Sequence, residues 1–291
     1  MTPDELFAEG WRLHQAGNFR QAEETYRRIL QLSPRNGRTW FVLGNLCAAD
    51  NRLPEAVACI RQALEIEPRE AMGWLHLGNV LLRQEKWTEA EEAYRKCLEL
   101  QPRHVEALVH RGFALGEMER LDEAKACYEQ ARALDPKLAE VHHNLGNVLR
   151  EQGDLDAALT SYDEALRLRP DYGKAHVNRG VALVARGDLD AALESLRRGV
   201  ELQPGFAEAH SSLGTALSAR GRLDEAVAEY ETAVRIKPTY ADAHWNRALV
   251  RLLQGDYERG WPEYEWRWKC KKAFALPPSL TPNPSPPRGE G

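Results

Sequence analysis

The 291-residue sequence has no apolar run long enough to span a bilayer and no excess of basic residues. A membrane-spanning helix needs about 18 or more apolar residues in a row, so we expect no membrane partner. The formal net charge is -5 at pH 7, whereas nucleic-acid-binding proteins are usually basic or carry a basic stripe, so we expect no nucleic acid partner. The first residues show no basic stretch followed by an apolar one, which predicts a cytoplasmic chain without a secretory signal.

Cysteine pairs and catalytic motifs are missing as well. The five cysteines are scattered and form no CxxC pair, a pattern typical of reduced thiols buried as small apolar side chains. The motifs GxxxxGK[ST], HExxH and GxSxG do not occur, and no GxGxxG follows a predicted strand. We therefore predict no enzyme activity, no catalytic residue, no cofactor and no metal site.

What the sequence does contain is a period of 34 residues. Four rows keep this interval in one phase, which is the signature of a repeat architecture. The rows are Pro34, Pro68, Pro102, Pro136, Pro170, Pro204 and Pro238; Gly10, Gly44, Gly78, Gly112, Gly146, Gly180 and Gly214; Ala22, Ala56, Ala90, Ala124, Ala158, Ala192 and Ala226; and Tyr26, Ile60, Tyr94, Tyr128, Tyr162, Leu196, Tyr230 and Tyr264. They divide the chain into units 3–36, 37–70, 71–104, 105–138, 139–172, 173–206, 207–240 and a divergent eighth, 241–274. Positions within a repeat are counted from the first residue of its unit.

Each unit is predicted to be a helical hairpin. In the fifth unit, two runs of apolar residues at helical spacing are separated by Gly153. Asp154 can cap the second helix, and Pro170 lies where that helix must end. Gly146 on the first helix leaves room for the second helix to approach, and Tyr162 fills the remaining space. We therefore predict an all-α chain without β-strands.

These repeats resemble a known family. An aromatic residue followed by a Leu-Gly pair, with Ala, Tyr and Pro further on, resembles the tetratricopeptide repeat, as at Trp40…Leu43-Gly44. The resemblance covers residues 3–274 and implies a right-handed superhelical solenoid of helix-turn-helix units, with the first helices lining the concave side. Departures from the pattern affect the packing of the eighth unit most. They are Glu9, Arg111, Arg179 and Arg247 in place of leucine, Ala248 in place of glycine, and Gly260 in place of alanine.

The sixth and ninth positions of the first helices are not needed for packing and carry mainly amides and histidines. The candidate partner-binding residues are Asn45, His76, Asn79, His110, Asn144, Asn147, Asn178 and Asn246. Packed helices lie about 8–10 Å apart and an extended chain advances about 3.3 Å per residue, so one amide would meet roughly every third residue of a ligand. The row resembles the asparagine ladder of the O-linked N-acetylglucosamine transferase repeats. We therefore predict a non-catalytic scaffold that binds an extended peptide or protein segment in the concave groove; the alternative is that these residues only line a wet groove.

Histidine recurs at the fourth position, in His142, His176, His210 and His244. Trp40 and Trp74 hold the same position, which indicates a need for a flat, bulky ring. A shared zinc ion would need ligands at about 2.0–2.1 Å, whereas consecutive units are separated by about a helix diameter. We therefore predict a packing role for these histidines.

The last helix is rich in aromatic residues. Tyr257, Trp261, Tyr264 and Trp268 follow helical spacing, which predicts one packing face. Trp266 falls roughly opposite, so we expect it to point toward the place of a ninth unit or another domain. It is therefore a candidate for end-on contact, and self-association through this end is an alternative.

The segment 255–268 also resembles the Trp-rich junction of bacterial repeat proteins that continue into a glycosyltransferase-like domain. This leaves a second function open, the targeting or substrate-recognition half of a truncated or split bacterial glycosyltransferase. Pro262 is expected to disturb the last helix. Six prolines in 276–291 predict that residues 275–291 form a disordered or polyproline-like tail, either a ligand for another module or a non-functional end.

Overall fold

The structure is a computed structural model that describes residues 1–270. All regular elements in this range are helices, as the sequence predicts. The predicted tail, 275–291, and the last residues of the predicted eighth repeat lie outside the described residues. The chain divides into two compact units, Met1–Pro170 and Asp171–Gly291.

The first unit contains five helical hairpins. Their helices are α1 (Pro3–Gln15), α2 (Phe19–Leu32), α3 (Gly37–Ala49), α4 (Leu53–Ile66), α5 (Ala71–Arg83), α6 (Trp87–Leu100), α7 (Val105–Glu117), α8 (Leu121–Leu134), α9 (Ala139–Glu151) and α10 (Leu155–Leu168). Every first helix begins at the first residue of its predicted repeat. The 34-residue period therefore predicts the helix boundaries as well as the fold class.

The second unit contains three more hairpins, the last of them shortened. Its helices are α11 (Gly173–Arg186), α12 (Leu189–Leu202), α13 (Ala207–Ala219), α14 (Leu223–Ile236), α15 (Ala241–Leu253) and α16 (Tyr257–Tyr264), followed by a 3₁₀-helix, Glu265–Lys269. Here too each first helix starts where the repeat pattern places it.

The turn inside each hairpin needs one residue in the left-handed region. In the fifth repeat this residue is Gly153, with φ of +85°, a conformation that glycine adopts without a steric penalty. The next residue caps the second helix as predicted, because the Asp154 carboxylate accepts a hydrogen bond of 3.1 Å from the backbone N–H of Ala157. The two residues together end one helix and start the next.

A glycine-to-ring contact sets the distance between the two helices of a hairpin. Tyr162 of α10 is fully buried, and a Cβ placed at Gly146 of α9 would lie 2.6 Å from its Cε1 atom. The same contact recurs between Gly214 and Tyr230, where the distance would be 2.9 Å. Since real Cβ atoms do not approach a ring so closely, only glycine allows this helix spacing.

The rings at the fourth position join successive repeats by a hydrogen bond. Nε2 of His142 lies 2.9 Å from the carbonyl oxygen of Pro136, at the end of the preceding repeat. Nε1 of Trp40 donates in the same way to Pro34, at 2.8 Å. Because His142 is also buried, its predicted packing role is confirmed, and the N–H group explains why both histidine and tryptophan suit this position.

The prediction of a packing face in the eighth repeat is wrong for three of its four aromatic residues. Tyr264 is buried, but Tyr257 is 61%, Trp261 47% and Trp268 71% exposed. The second helix has eight residues instead of fourteen and continues as a 3₁₀-helix after Pro262. Within residues 1–270 no further helix covers this side of the eighth repeat, which leaves these three side chains exposed.

Trp266 also differs from the expectation. Its ring does not stand opposite the packing face but stacks on the His244 ring, with a centroid distance of 3.9 Å and an interplanar angle of 6°. The Lys269 ammonium lies 3.9 Å from the centroid of the same ring. Trp266 is therefore half-buried and stabilises the eighth repeat from within, as a cation–π and stacking partner.

A buried carboxylate explains the arginine at the seventh position of the eighth repeat. Glu263 accepts hydrogen bonds from Arg247 and from Arg251, the latter at 2.9 Å, and lies 2.7 Å from Nδ1 of His244. Burial alone would raise the pKa of Glu263, but the hydrogen bonds from Arg247 and His244 outweigh it and lower the pKa below 4.5. The cluster holds the short second helix against the first helix.

Replacing Gly146 with alanine is expected to destabilise the chain by about 1–3 kcal/mol, because the new methyl group meets the Tyr162 ring. The matched control is Gly116→Ala on α7, where a Cβ would meet nothing within 4 Å. This change is expected to stabilise the helix by up to about 1 kcal/mol through higher helix propensity. Thermal unfolding followed by circular dichroism measures both, and equal midpoints for the two variants would contradict the packing account.

Glu263→Gln is expected to destabilise the chain by about 3 kcal/mol at pH 7, because it leaves Arg247 without its carboxylate and Arg251 with Glu231 alone. Since the folded-state pKa of Glu263 is lowered, the ionised group stabilises the fold above the unfolded pKa and loses this effect as the pH falls through the folded pKa. The difference from wild type should therefore shrink below pH 4.5. Urea unfolding at several pH values tests this, with the exposed Glu265→Gln as a control; a difference independent of pH would refute it.

Candidate functional site

The candidate residues share one face of the first helices. The sixth and ninth positions are three residues apart, and the second and thirteenth positions fall on the same side of a helix. All eight predicted site residues are half-buried, so they are held in place yet accessible. We refer to the side chains at the sixth and ninth positions as the amide row and describe it separately in each unit.

In the first unit the amide row starts with a direct contact between two repeats. Nδ1 of His76 on α5 lies 2.8 Å from Oδ1 of Asn45 on α3. The His76 ring also packs on edge against Phe41, at 5.0 Å between centroids. Burial lowers the pKa of His76, and the negative charge of Glu106 raises it by less. The lowered pKa favours the neutral ring, which then serves as a hydrogen-bonding group.

The row continues from α5 to α7 through Asn79. Its Oδ1 accepts a 2.8 Å hydrogen bond from the Tyr94 hydroxyl, and its Nδ2 lies 3.4 Å from Oε1 of Glu106. The same carboxylate oxygen lies 3.6 Å from Nε2 of His110, whose ring stacks on Tyr94 at 5.8 Å. An amide side chain can make four hydrogen bonds, and the Asn79 amide makes two of them within the chain.

The ninth position also serves the hairpin core. On α9, Oδ1 of Asn147 accepts a 2.8 Å hydrogen bond from the Tyr162 hydroxyl. In the second unit, Thr215 lies 3.1 Å from the Tyr230 hydroxyl in the equivalent pair. Burial raises the pKa of both tyrosines to about 12, so each hydroxyl remains a donor at neutral pH. The amide row is therefore fixed by the core beneath it.

Four exposed carboxylates, which lie outside the predicted amide positions, flank the row on α7 and α9. Glu106 and Glu117 occupy the second and thirteenth positions of α7, and Glu140 and Glu151 occupy those of α9. Asn144 lies between the latter two, with its Oδ1 3.1 Å from Nδ1 of the neighbouring His143. The spacing of 2, 6, 9 and 13 within a repeat would have revealed this acidic border, which favours positive charge in a ligand.

The second unit has a less polar face. Asn178 lies half-buried on α11, and Asn246 on α15 borders a cavity of about 450 Å³. The remaining walls are mainly apolar and include Leu249, Leu253 and Trp261. This face offers room for a bulky apolar group beside one amide.

Two further properties limit the chemistry of the described residues. Between residues 1 and 270, no helix is both long and apolar enough to cross a bilayer. In the same range, no group of three or more His, Cys, Asp or Glu side chains is arranged to hold a metal ion. Four of the five cysteines are buried, as expected, and Cys270 is half-buried.

Known structures of helical repeat proteins are similar to this chain. A tetratricopeptide repeat protein from Parabacteroides merdae ATCC 43184 matches with a TM-score of 0.70 and 16% identity, covering 85% of this chain and 98% of that chain. A chain of the APC/C hetero-tetramer Cut9–Hcn1 matches with a TM-score of 0.67 and 18% identity; the match covers 82% of this chain but 47% of that one. MamA matches with a TM-score of 0.50 and 25% identity, over 59% and 93% of the two chains. The predicted all-α solenoid of helix-turn-helix units is confirmed.

Family models match the same repeats. A tetratricopeptide repeat model matches residues 7–71 and 143–207, a second matches 103–171, and a TPR repeat model matches 214–255. The middle TPR-like domain of cilia and flagella-associated protein 70 matches residues 68–131. These models end at residue 255, so the likeness of 255–268 to a glycosyltransferase junction stays a prediction. No curated protein matches the chain. With its repeats matched over more than half of its length, the chain belongs to the tetratricopeptide repeat family.

Proposed function

We propose that this chain is a non-catalytic interaction scaffold whose first unit binds an extended segment of another protein along the amide row. The observation that carries this proposal is the continuous line of half-buried polar side chains from Asn45 through His76 and Asn79 to His110. These groups are held by contacts within the chain. A ligand therefore meets donors and acceptors that lose little conformational freedom on binding.

The extended shape of the ligand follows from the arrangement of the row. Each first helix contributes one or two polar groups at a spacing set by helix packing, about 8–10 Å. A strand-like segment presents backbone N–H and C=O groups at about 3.3 Å per residue and can meet such a row repeatedly. Amides bind backbone groups of any sequence, so the row supplies affinity more than sequence specificity.

The acidic border supplies a preference. The exposed carboxylates of Glu106, Glu117, Glu140 and Glu151 flank the row on α7 and α9. A bound segment with lysine or arginine beside these helices would gain charge-assisted hydrogen bonds, whereas an acidic segment would be repelled. The favoured partner is therefore a basic, extended segment of a protein.

Pools of unstructured 12-residue peptides that differ only in net charge test this proposal. The basic pool is expected to bind more tightly than the acidic pool, and its affinity should fall with added salt because the border is exposed. A variant combining Asn144→Ala with Glu140→Gln and Glu151→Gln should weaken binding of the basic pool about tenfold, since each lost hydrogen bond is worth about 0.5–1.5 kcal/mol. Fluorescence anisotropy with labelled peptides measures these affinities.

The matched control carries Glu129→Gln and Gln130→Ala, two exposed residues of the second helix α8. It changes the surface without touching the amide row and should bind like wild type. Unchanged affinity of the α9 variant, or an equal loss in the α8 control, would refute the proposal. Asn147 is left in place, because its removal would strip the Tyr162 hydroxyl of its acceptor.

A further inference from the structure

The end of the eighth repeat carries an apolar surface that the amide row does not use. Its exposed side chains are Leu253 on α15, Tyr257 and Trp261 on α16, and Trp268 in the 3₁₀-helix. The first three also line the cavity of about 450 Å³, together with the buried Tyr264. Large apolar side chains grouped at one end of a repeat array mark a surface for association.

Earlier repeats of the same chain show what covers this surface. In the third repeat, Trp87 at position 17 packs on edge against Phe113 of the next first helix, at 6.1 Å between centroids. Glu91 at position 21 accepts a 2.8 Å hydrogen bond from Arg111 of that helix. Position 17 therefore faces position 9 of the following first helix, and position 21 faces position 7.

Two further contacts complete the pattern. Tyr94 at position 24 stacks on His110 at position 6 of the next first helix. Leu64, at position 28 of the second repeat, lies against Gly73, at position 3 of the next first helix. A Cβ placed at Gly73 would lie 2.7 Å from Cδ2 of Leu64. Positions 17, 21, 24 and 28 of a second helix thus contact the following first helix, although position 17 remains exposed at Phe19.

Tyr257, Trp261, Tyr264 and Trp268 occupy these four positions in the eighth repeat. Position 21 shows the difference within the second unit itself, since Leu193 is 4% exposed whereas Trp261 is 47% exposed. The exposed surface is therefore one side of a repeat-to-repeat interface. In the earlier repeats the other side of this interface is the following first helix.

The residues that follow the described part do not suit this role. Each first helix has thirteen or fourteen residues, whereas six residues separate Cys270 from Pro277, and Pro278 follows. The sequence therefore predicts no helix of the required length there.

A second copy of the chain does not suit it either. Its free first helix, α1, would present the exposed Glu5 and the half-buried Glu9 at positions 3 and 7. Docking would bury these carboxylates against Trp268 and Trp261, and a buried charge without a partner is costly. Beside these carboxylates α1 exposes one large ring, Trp11 at position 9, so its outer face is charged at the two positions that would meet the tryptophans.

We propose that the end of the eighth repeat docks one amphipathic helix of a partner protein, laid where a ninth first helix would lie. The helix carries apolar residues four apart, at the places of positions 3 and 7, so that they meet Trp268 and Trp261. In such helix-in-groove binding, the groove recognises the apolar face of an amphipathic partner helix. This site is separate from the amide row and goes beyond the proposed function, because it selects a helix and not an extended segment.

A labelled, end-blocked peptide with the sequence of residues 139–152 provides a defined probe. It carries Val141 and Leu145 at positions 3 and 7 of a first helix. The full chain is expected to bind it, and Trp261→Glu and Tyr257→Glu are each expected to weaken binding at least tenfold. Both side chains are exposed, so the variants should unfold at the wild-type temperature, which circular dichroism verifies.

The matched control variant is Phe19→Glu, because Phe19 holds position 17 of the first repeat and is also exposed. It should bind the probe like wild type, as should the α9 variant used for the amide row. The matched control peptide carries Leu145→Glu and should not bind. Equal binding by the Trp261→Glu variant, or binding of the control peptide, overturns the proposal. A wild-type dimer in sedimentation that becomes a monomer in Trp261→Glu overturns it too, since a second copy would then occupy the site.

Discussion

The contact between the glycine at position 8 and the large side chain at position 24 governs this structure. At Gly146 and Tyr162 it brings the two helices so close that no Cβ fits between them. The same closeness lets the Tyr162 hydroxyl reach across the first helix to Asn147 of the amide row. One contact therefore sets the helix spacing, buries the ring and orients an amide of the candidate site.

The two ends of the array are built differently. The first repeat begins with a capping box, in which Thr2 and the exposed Glu5 bond reciprocally. The eighth repeat ends with exposed tryptophans and a buried ion cluster around Glu263. The cluster ties the short last helix to α15, and Trp261 and Trp268 remain accessible.

Periodicity was enough to predict the helices, because a 34-residue repeat constrains every unit at once. The bond between positions 9 and 24 was out of reach, since Asn147 accompanies Tyr162 but Asn45 accompanies Ile60 and Phe113 accompanies Tyr128. What else periodicity could not predict lies where the repeat stops. Periodicity placed Tyr257 and Trp268 in the core, because equivalent residues of earlier repeats are covered by a following helix. Pro262 predicted a disturbed last helix, but not that the chain would continue as a 3₁₀-helix. The proposed site residues were found by position, but their hydrogen bonds to one another required coordinates.

Site-specific cross-linking tests most directly whether the amide row is the binding face. A photoreactive residue at position 144 on α9 would be compared with one at Ala126, which is exposed on the second helix α8. The account predicts that the tightest-binding basic peptide cross-links at position 144 and not at position 126. Cross-linking at position 126 alone, or equally at both, would contradict it.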